Sequence, residues 1–375
     1  MVFVSSLLSA ALAVASLVEL TAAHRPPQPG SPEAVKRDLF QRNARRSLAD
    51  CQDELSKRGG VYEKARARRA NFARDARGTR GLSTGVPYKR ATFEDYLKIN
   101  HHSNETGITN NTDPATLFDG NSSCVLAPEV TEGPYYVTGE YVRFDVRENQ
   151  SGIDHYTEVQ FIDVSTCEPV PGIYVDFWHA NATGVYAGVV INGNGAGEND
   201  ATNINSTFLR GIQETDSDGV VQFLSVFPGH YQGRAIHTHI VAHQAGTQFP
   251  NGTFASANVS HIGQLFWDQS LISTVSALEP YSSNTQNLTL NADDMWAPEQ
   301  ADGIDPFPEY VFLGDDVTDG IFGWISIGID TTSSYSIINA ATLTEDGGVA
   351  NAAGSFSGGG GGGMPSAMPS ASASA

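Results

Sequence analysis

The segment GHYQGRAIHTHI, residues 229–240, sets a phenol (Tyr231), a guanidinium (Arg234) and two imidazoles (His237 and His239) within nine positions. Alternate residues of a β-strand share one face with Cα atoms ~6.5–7 Å apart, so a strand at AIHTHI directs both imidazoles toward one point. Upstream, DFWHANATGVY ends an apolar run and places Tyr186 two residues after Gly184. Two phenols and two neutral imidazoles form an oxygen-and-nitrogen donor set. Ionised phenols are hard donors suited to a trivalent iron, and a cation of that charge holds a tyrosine ionised far below its ordinary pKa of ~10. Zinc more often takes further His, Cys or carboxylate ligands. Blander readings stay open for each residue. A strand tyrosine is commonly a core aromatic with a satisfied hydroxyl, and Arg234 has many carboxylates with which to pair. His243 shares the strand parity of His237 and His239, which leaves a three-His copper or zinc centre as a rival.

Such residues need a rigid frame. TEVQFIDV, IYVDFWHA, VVQFLSVF, AIHTHIVAH and GIFGWISIGID are short runs rich in Val, Ile, Phe and Trp, separated by turn signals such as CEPVPG, SDG and PGH. Their spacing predicts a mainly β protein whose core is an antiparallel β-sandwich, with any helix in this region short.

Taken together and in order, EGPYY (Glu132 to Tyr136), the pattern Asp176-Phe177, Gly184 and Tyr186, then Tyr231, the R-x-x-H-x-H of Arg234, His237 and His239, and the GQLFW holding Gln264 resemble the intradiol ring-cleavage dioxygenases. The resemblance spans residues 120–270 or so. It implies a mononuclear Fe(III) held by Tyr186, Tyr231, His237 and His239, with Tyr231 and His237 as an opposed axial pair and Tyr186 and His239 equatorial. It further implies a catechol-type substrate and dioxygen, ring opening between the two hydroxyl-bearing carbons, and a muconate-type diacid product. Tyr231 would leave the metal as catechol binds, Arg234 would stabilise electron density on the ring, and Gln264 would orient the reacting groups. A β-sandwich that binds aromatic or polysaccharide material without turnover is the alternative from another class.

The ends of the chain differ from its middle. Residues 1–23 are an apolar, Ser/Ala-rich stretch ending in small residues, which predicts a secretory signal peptide. Residues 24–90 hold 17 Lys/Arg against 7 Asp/Glu and five dibasic pairs, as a propeptide would. Residues 91–345 form the expected dioxygenase-like domain, and 346–375 a Gly/Ser/Ala-rich tail expected to be disordered. Nine Asn-x-Ser/Thr sequons between 104 and 287 fit a secreted glycoprotein, and in that compartment Cys124 and Cys167 are expected to pair. From 91 to 375 only 5 Lys/Arg face 34 Asp/Glu. Such a domain should repel nucleic acid and anionic membranes. Oligomeric state is left open by the sequence.

Overall fold

The computed structural model describes residues 93–102, 124–126, 128–166, 168–301 and 305–351. The signal-peptide and propeptide assignments and Cys167 lie outside these residues, as does the side chain of Cys124. Among the described residues no helix is long and apolar enough to cross a membrane.

The described chain opens with a helical turn, α1 (Phe93–Tyr96), and continues into β1 (Cys124–Leu126), β2 (Val137–Thr138), β3 (Asp154–Asp163) and β4 (Tyr174–Trp178). Next come β5 (Arg210–Glu214), β6 (Val220–Val226), β7 (His237–Gln248) and β8 (Phe254–Phe266). Two short helices, α2 (Gln269–Ser276) and α3 (Ala297–Gln300), precede β9 (Glu309–Phe312), β10 (Ile321–Ile329), β11 (Ala341–Thr344) and β12 (Gly347–Ala350). The mainly β expectation holds, and all five runs named from the sequence are strands.

Two sheets make the sandwich. One has the order β1-β10-β3-β6, with β9 also on β10, and the other has the order β5-β4-β7-β8. The second is antiparallel throughout, whereas β10 runs parallel to both β3 and β1. The connection from β8 through α2, α3 and β9 is long enough to return β10 in that direction, which a tight hairpin cannot do. Between the sheets, alternate residues form one apolar cluster: Val159 and Phe161 of β3, Val175 and Phe177 of β4, Val221 and Phe223 of β6, Ile240 and Ala242 of β7, Leu265 of β8 and Ile325 and Ile327 of β10. Phe177 stacks on Phe223 across the gap, 4.5 Å between ring centroids. A small third sheet, β12-β11-β2, corrects the expected start of the tail. Gly347–Ala350 pairs with Ala341–Thr344, and the ladder supplies the backbone partners that a Gly-rich stretch cannot find through side chains.

Because side chains alternate, the four-stranded sheet carries a second inner face. Trp178 of β4 stands opposite His239 of β7, which stands opposite Gln264 of β8. Connecting segments cover this face. Tyr135, Tyr136, Tyr186 and Tyr231 pack there with Trp178, Val241 and Ile262.

Candidate metal centre

His237 and His239 emerge side by side from the start of β7, as strand alternation predicts. Both are buried, and their Nε2 atoms stand 3.0 Å apart. His237 Nδ1 lies 2.7 Å from the Ala235 carbonyl oxygen, which can only accept. That nitrogen therefore carries the proton and Nε2 the lone pair. The His239 ring lies flat on Trp178, with centroids 4.6 Å apart and planes 3° apart, so the indole fixes its orientation.

The tyrosines arrive on loops. Tyr231 follows β6 through Pro228 and Gly229, and its Oη is 3.4 Å from His237 Nε2. Tyr186 sits in the long excursion between β4 and β5, its ring centroid 5.3 Å from that of Tyr231. The two loops cross backbone against backbone. A Cβ on Gly184, whose φ is +78°, would lie 2.2 Å from the His230 carbonyl oxygen, and one on Gly229 would lie 2.2 Å from that of Asn181. Only glycine permits this approach. Gln286 clips the loops together, donating to the carbonyls of Thr183 and Gly184 and accepting from Gln232 N–H. Asn194 and Asn203, both buried, hold the Tyr186 backbone: Asn194 accepts its N–H at 2.8 Å, and both side chains donate to its carbonyl.

Burial pushes the Tyr186 phenol well above its ordinary pKa. Burial also raises Tyr231, to about 12, although Arg234 opposes the shift. Both are therefore neutral at neutral pH in the protein alone. The Tyr186 hydroxyl is fully buried yet makes no hydrogen bond, a costly arrangement unless something else engages it. Two donors held at right angles ~2.1 Å from one ion stand ~3.0 Å apart, which matches the two imidazole nitrogens. Tyr231 Oη, 3.4 Å from His237 Nε2, faces the same buried point as the two imidazoles. Tyr135 completes the wall. It stacks on Tyr186 at 4.5 Å and donates to the Gly193 carbonyl at 3.0 Å.

Arg234 and Gln264 meet: Arg234 Nη2 donates to Gln264 Oε1 at 2.6 Å, and Gln264 Nε2 donates to the Thr131 carbonyl at 2.9 Å. Asp294 went unnoticed in the sequence. It accepts from Arg234 Nε at 2.9 Å and from the backbone N–H groups of Ala235, Trp296 and Ala297. No motif links it to Arg234, sixty residues earlier. Asn194, Asn203 and Gln286 were equally silent in the sequence.

Other described histidines lie apart from this point. His179 bonds to Ser225, and His261 to Glu129. His243 is four residues, about 13 Å of strand, beyond His239, and its Nε2 lies 3.8 Å from Asp176. Among the described residues, no group of three or more His, Cys, Asp or Glu could hold a metal ion. The three-His arrangement does not form.

No protein-family model and no curated protein matches the chain. Solved structures do. An intradiol ring-cleavage dioxygenase from Tetranychus urticae is 28% identical, with 57% of this chain and 98% of that chain covered and a TM-score of 0.46. The dioxygenase domain of a dioxygenase and carbohydrate-binding fusion from Streptomyces sp. SirexAA-E is 20% identical, over 55% of this chain and 98% of that one, with a TM-score of 0.32. Hydroxyquinol 1,2-dioxygenase from Pseudomonas putida DLL-E4 is 15% identical, over 58% and 70%, at 0.36. The chain is thus similar, over part of its length, to intradiol ring-cleavage dioxygenases.

Proposed function

We propose that this protein is a secreted Fe(III) intradiol dioxygenase that opens catechol-type rings between the two hydroxyl-bearing carbons and incorporates both atoms of dioxygen. The observation that carries this reading is the convergence of Tyr186, Tyr231, His237 and His239 on one buried face, with the Tyr186 hydroxyl lacking any hydrogen bond. Phenol oxygens and imidazole nitrogens in equal number suit a hard trivalent cation better than zinc or copper(I). All four side chains would hold the ion, and when bound it supplies the Lewis acidity that ionises the phenols and activates the catechol ring.

The protein's own groups have separable tasks. Tyr231 Oη, with Arg234 beside it, would, once ionised by a bound cation, be the phenolate placed to accept a catechol proton and become a neutral hydroxyl. Arg234 keeps N–H donors near the ring, held in place by Asp294 and Gln264. Trp178 and Ala235 orient the imidazoles, so the donor set needs little rearrangement to bind. Tyr135 and the Tyr186 loop exclude bulk water from the reacting face.

The test is direct. Protein prepared with iron should contain about one ferric ion per chain, show the broad visible absorption of tyrosinate-to-iron charge transfer, and consume oxygen with catechol to give a muconate-type diacid. Colourless iron-loaded protein would sink the reading. Tight binding of catechols without oxygen uptake would favour the non-catalytic alternative. Culture fractionation, with enzymatic deglycosylation of the recovered protein, tests secretion.

A further inference from the structure

Residues 91–375 contain five Lys and Arg side chains against 34 Asp and Glu, and all five cations have a carboxylate partner. Lys98 pairs with Asp95 at 2.8 Å, Arg143 with Glu148 at 2.8 Å, and Arg147 with both Asp145 and Asp154. The two buried cations are Arg210, 3.7 Å from Glu140, and Arg234, 2.9 Å from Asp294. Arg234 stands beside the tyrosine and histidine cluster, and so does Arg210, whose Nε and Nη2 are spent on the carbonyls of Tyr135 and Ala187. The Nε and Nη2 of Arg234 are spent on Asp294 and Gln264, while its Nη1 is buried and makes no hydrogen bond.

That arrangement has a chemical consequence. Arg234 and Asp294 together carry no net charge, yet Nη1 still offers N–H donors to the site. A neutral oxygen substituent, or the ring's own electron density, can use such a donor without needing a counter-charge. A carboxylate on the ring would need one, since an unpaired buried carboxylate is strongly destabilised. Among the described residues every Lys and Arg is already engaged, by carboxylates or, for Arg210, by the Tyr135 and Ala187 carbonyls, and the acidic excess of the domain repels anions from a distance as well.

We propose that the site selects catechols bearing no ring carboxylate, and that Asp294 sets this preference by cancelling the charge of Arg234. The inference rests on the ring-cleavage reading above. It adds to that reading the electrical character of the substrate and names Asp294 as the residue that tunes it.

Size-matched probes separate charge from bulk. Iron-loaded, full-length protein is assayed at pH 7 by oxygen uptake and product analysis with catechol, 3,4-dihydroxybenzamide and 3,4-dihydroxybenzoate. The amide and the acid have nearly the same shape, and only the acid is ionised. The expected kcat/KM for the amide exceeds that for the acid by at least about tenfold, a difference of ~1.4 kcal/mol in transition-state binding. A smaller ratio overturns the inference while leaving ring cleavage intact. If amide and acid are equally poor beside catechol, bulk and not charge discriminates, and the inference is again overturned. Failure to turn over even catechol overturns the ring-cleavage reading itself, and the inference with it. In Asp294→Asn, which preserves shape but uncovers the Arg234 charge, the amide-to-acid ratio should fall at least about threefold, mainly through a lower KM for the acid. An unchanged ratio in a folded variant removes Asp294 from the proposal. Should that variant not fold, the wild-type comparison of amide with acid decides alone.

Discussion

The two faces of the β5-β4-β7-β8 sheet are built by the same strands and could hardly differ more. Val175, Phe177, Ile240, Ala242 and Leu265 point into the sandwich and join one apolar cluster. The residues between them, Asp176, Trp178, His239 and Gln264 among them, point to the other side. There, Trp178 Nε1, Tyr186 Oη, Arg234 Nη1 and both oxygens of Glu140 are buried without a hydrogen bond. The first face lowers the free energy of the fold by burying apolar area. The second raises it, keeping polar groups dry and oriented for a ligand. Stability and binding capacity are thus separated by one residue along each strand, and rigidity on one side positions chemistry on the other.

Substitutions can break or sharpen that contrast. The largest expected effect is on the core face: Phe177→Ala should cost about 3–5 kcal/mol through a cavity beside Phe223, read as a lower denaturant midpoint at constant m-value. Tyr186→Phe on the opposite side should alter stability by less than about 1 kcal/mol, because the hydroxyl it removes has no partner to lose. It should nonetheless abolish the iron-dependent visible absorption. Equal losses of stability in the two variants would contradict the division. Next in size, Gly184→Ala should cost about 1–3 kcal/mol, from strain at positive φ and from contact with the His230 carbonyl. It should also weaken iron retention measured by dialysis against a chelator, because the two tyrosine loops must separate.

A pH effect should appear away from both faces. His101 is fully buried between Asp268 and Asp305 and stacks on Phe307, fastening the segment after α1 to the domain. Burial alone would lower its pKa, but the two carboxylates outweigh it and raise it to about 9. A raised folded-state value means that its contribution to stability is complete below the unfolded pKa of ~6.5. That contribution is lost as pH climbs from there through 9. Denaturation midpoints measured across this range should fall, and the fall should be smaller in His101→Gln. Gln286→Ala, which removes the clip between the tyrosine loops, should cost about 1 kcal/mol per hydrogen bond lost. Catechol kcat/KM should drop a few-fold with the fold otherwise intact.

Legibility in the sequence followed the range of the interactions. The five runs named as strands are short, rich in β-branched and aromatic residues and bounded by turn signals, a pattern carried within a few neighbouring residues. The His237 and His239 pair was legible for the same reason. The parallel placement of β10 was not, because direction depends on how the chain returns from β8. The pairing of Gly347–Ala350 was equally hidden, since a Gly-rich segment has no pattern of its own and takes its structure from Ala341–Thr344. Asp294, Asn194, Asn203 and Gln286 have unremarkable types at unremarkable spacings, and their roles come from backbone groups and side chains that meet them through folding.

What the amino-acid order determined by itself is the inventory and its local geometry: which strands form, which residues share a face, and which four side chains can donate to a hard cation. Only the tertiary structure decided that Tyr186 and Tyr231 meet, that Arg234 is neutralised by Asp294, and that His243 is kept out. The physical reason is reach. Alternation along a strand acts over ~7 Å and is encoded in neighbouring residues, whereas the crossing of the Gly184 and Gly229 loops joins segments that only packing can bring into contact.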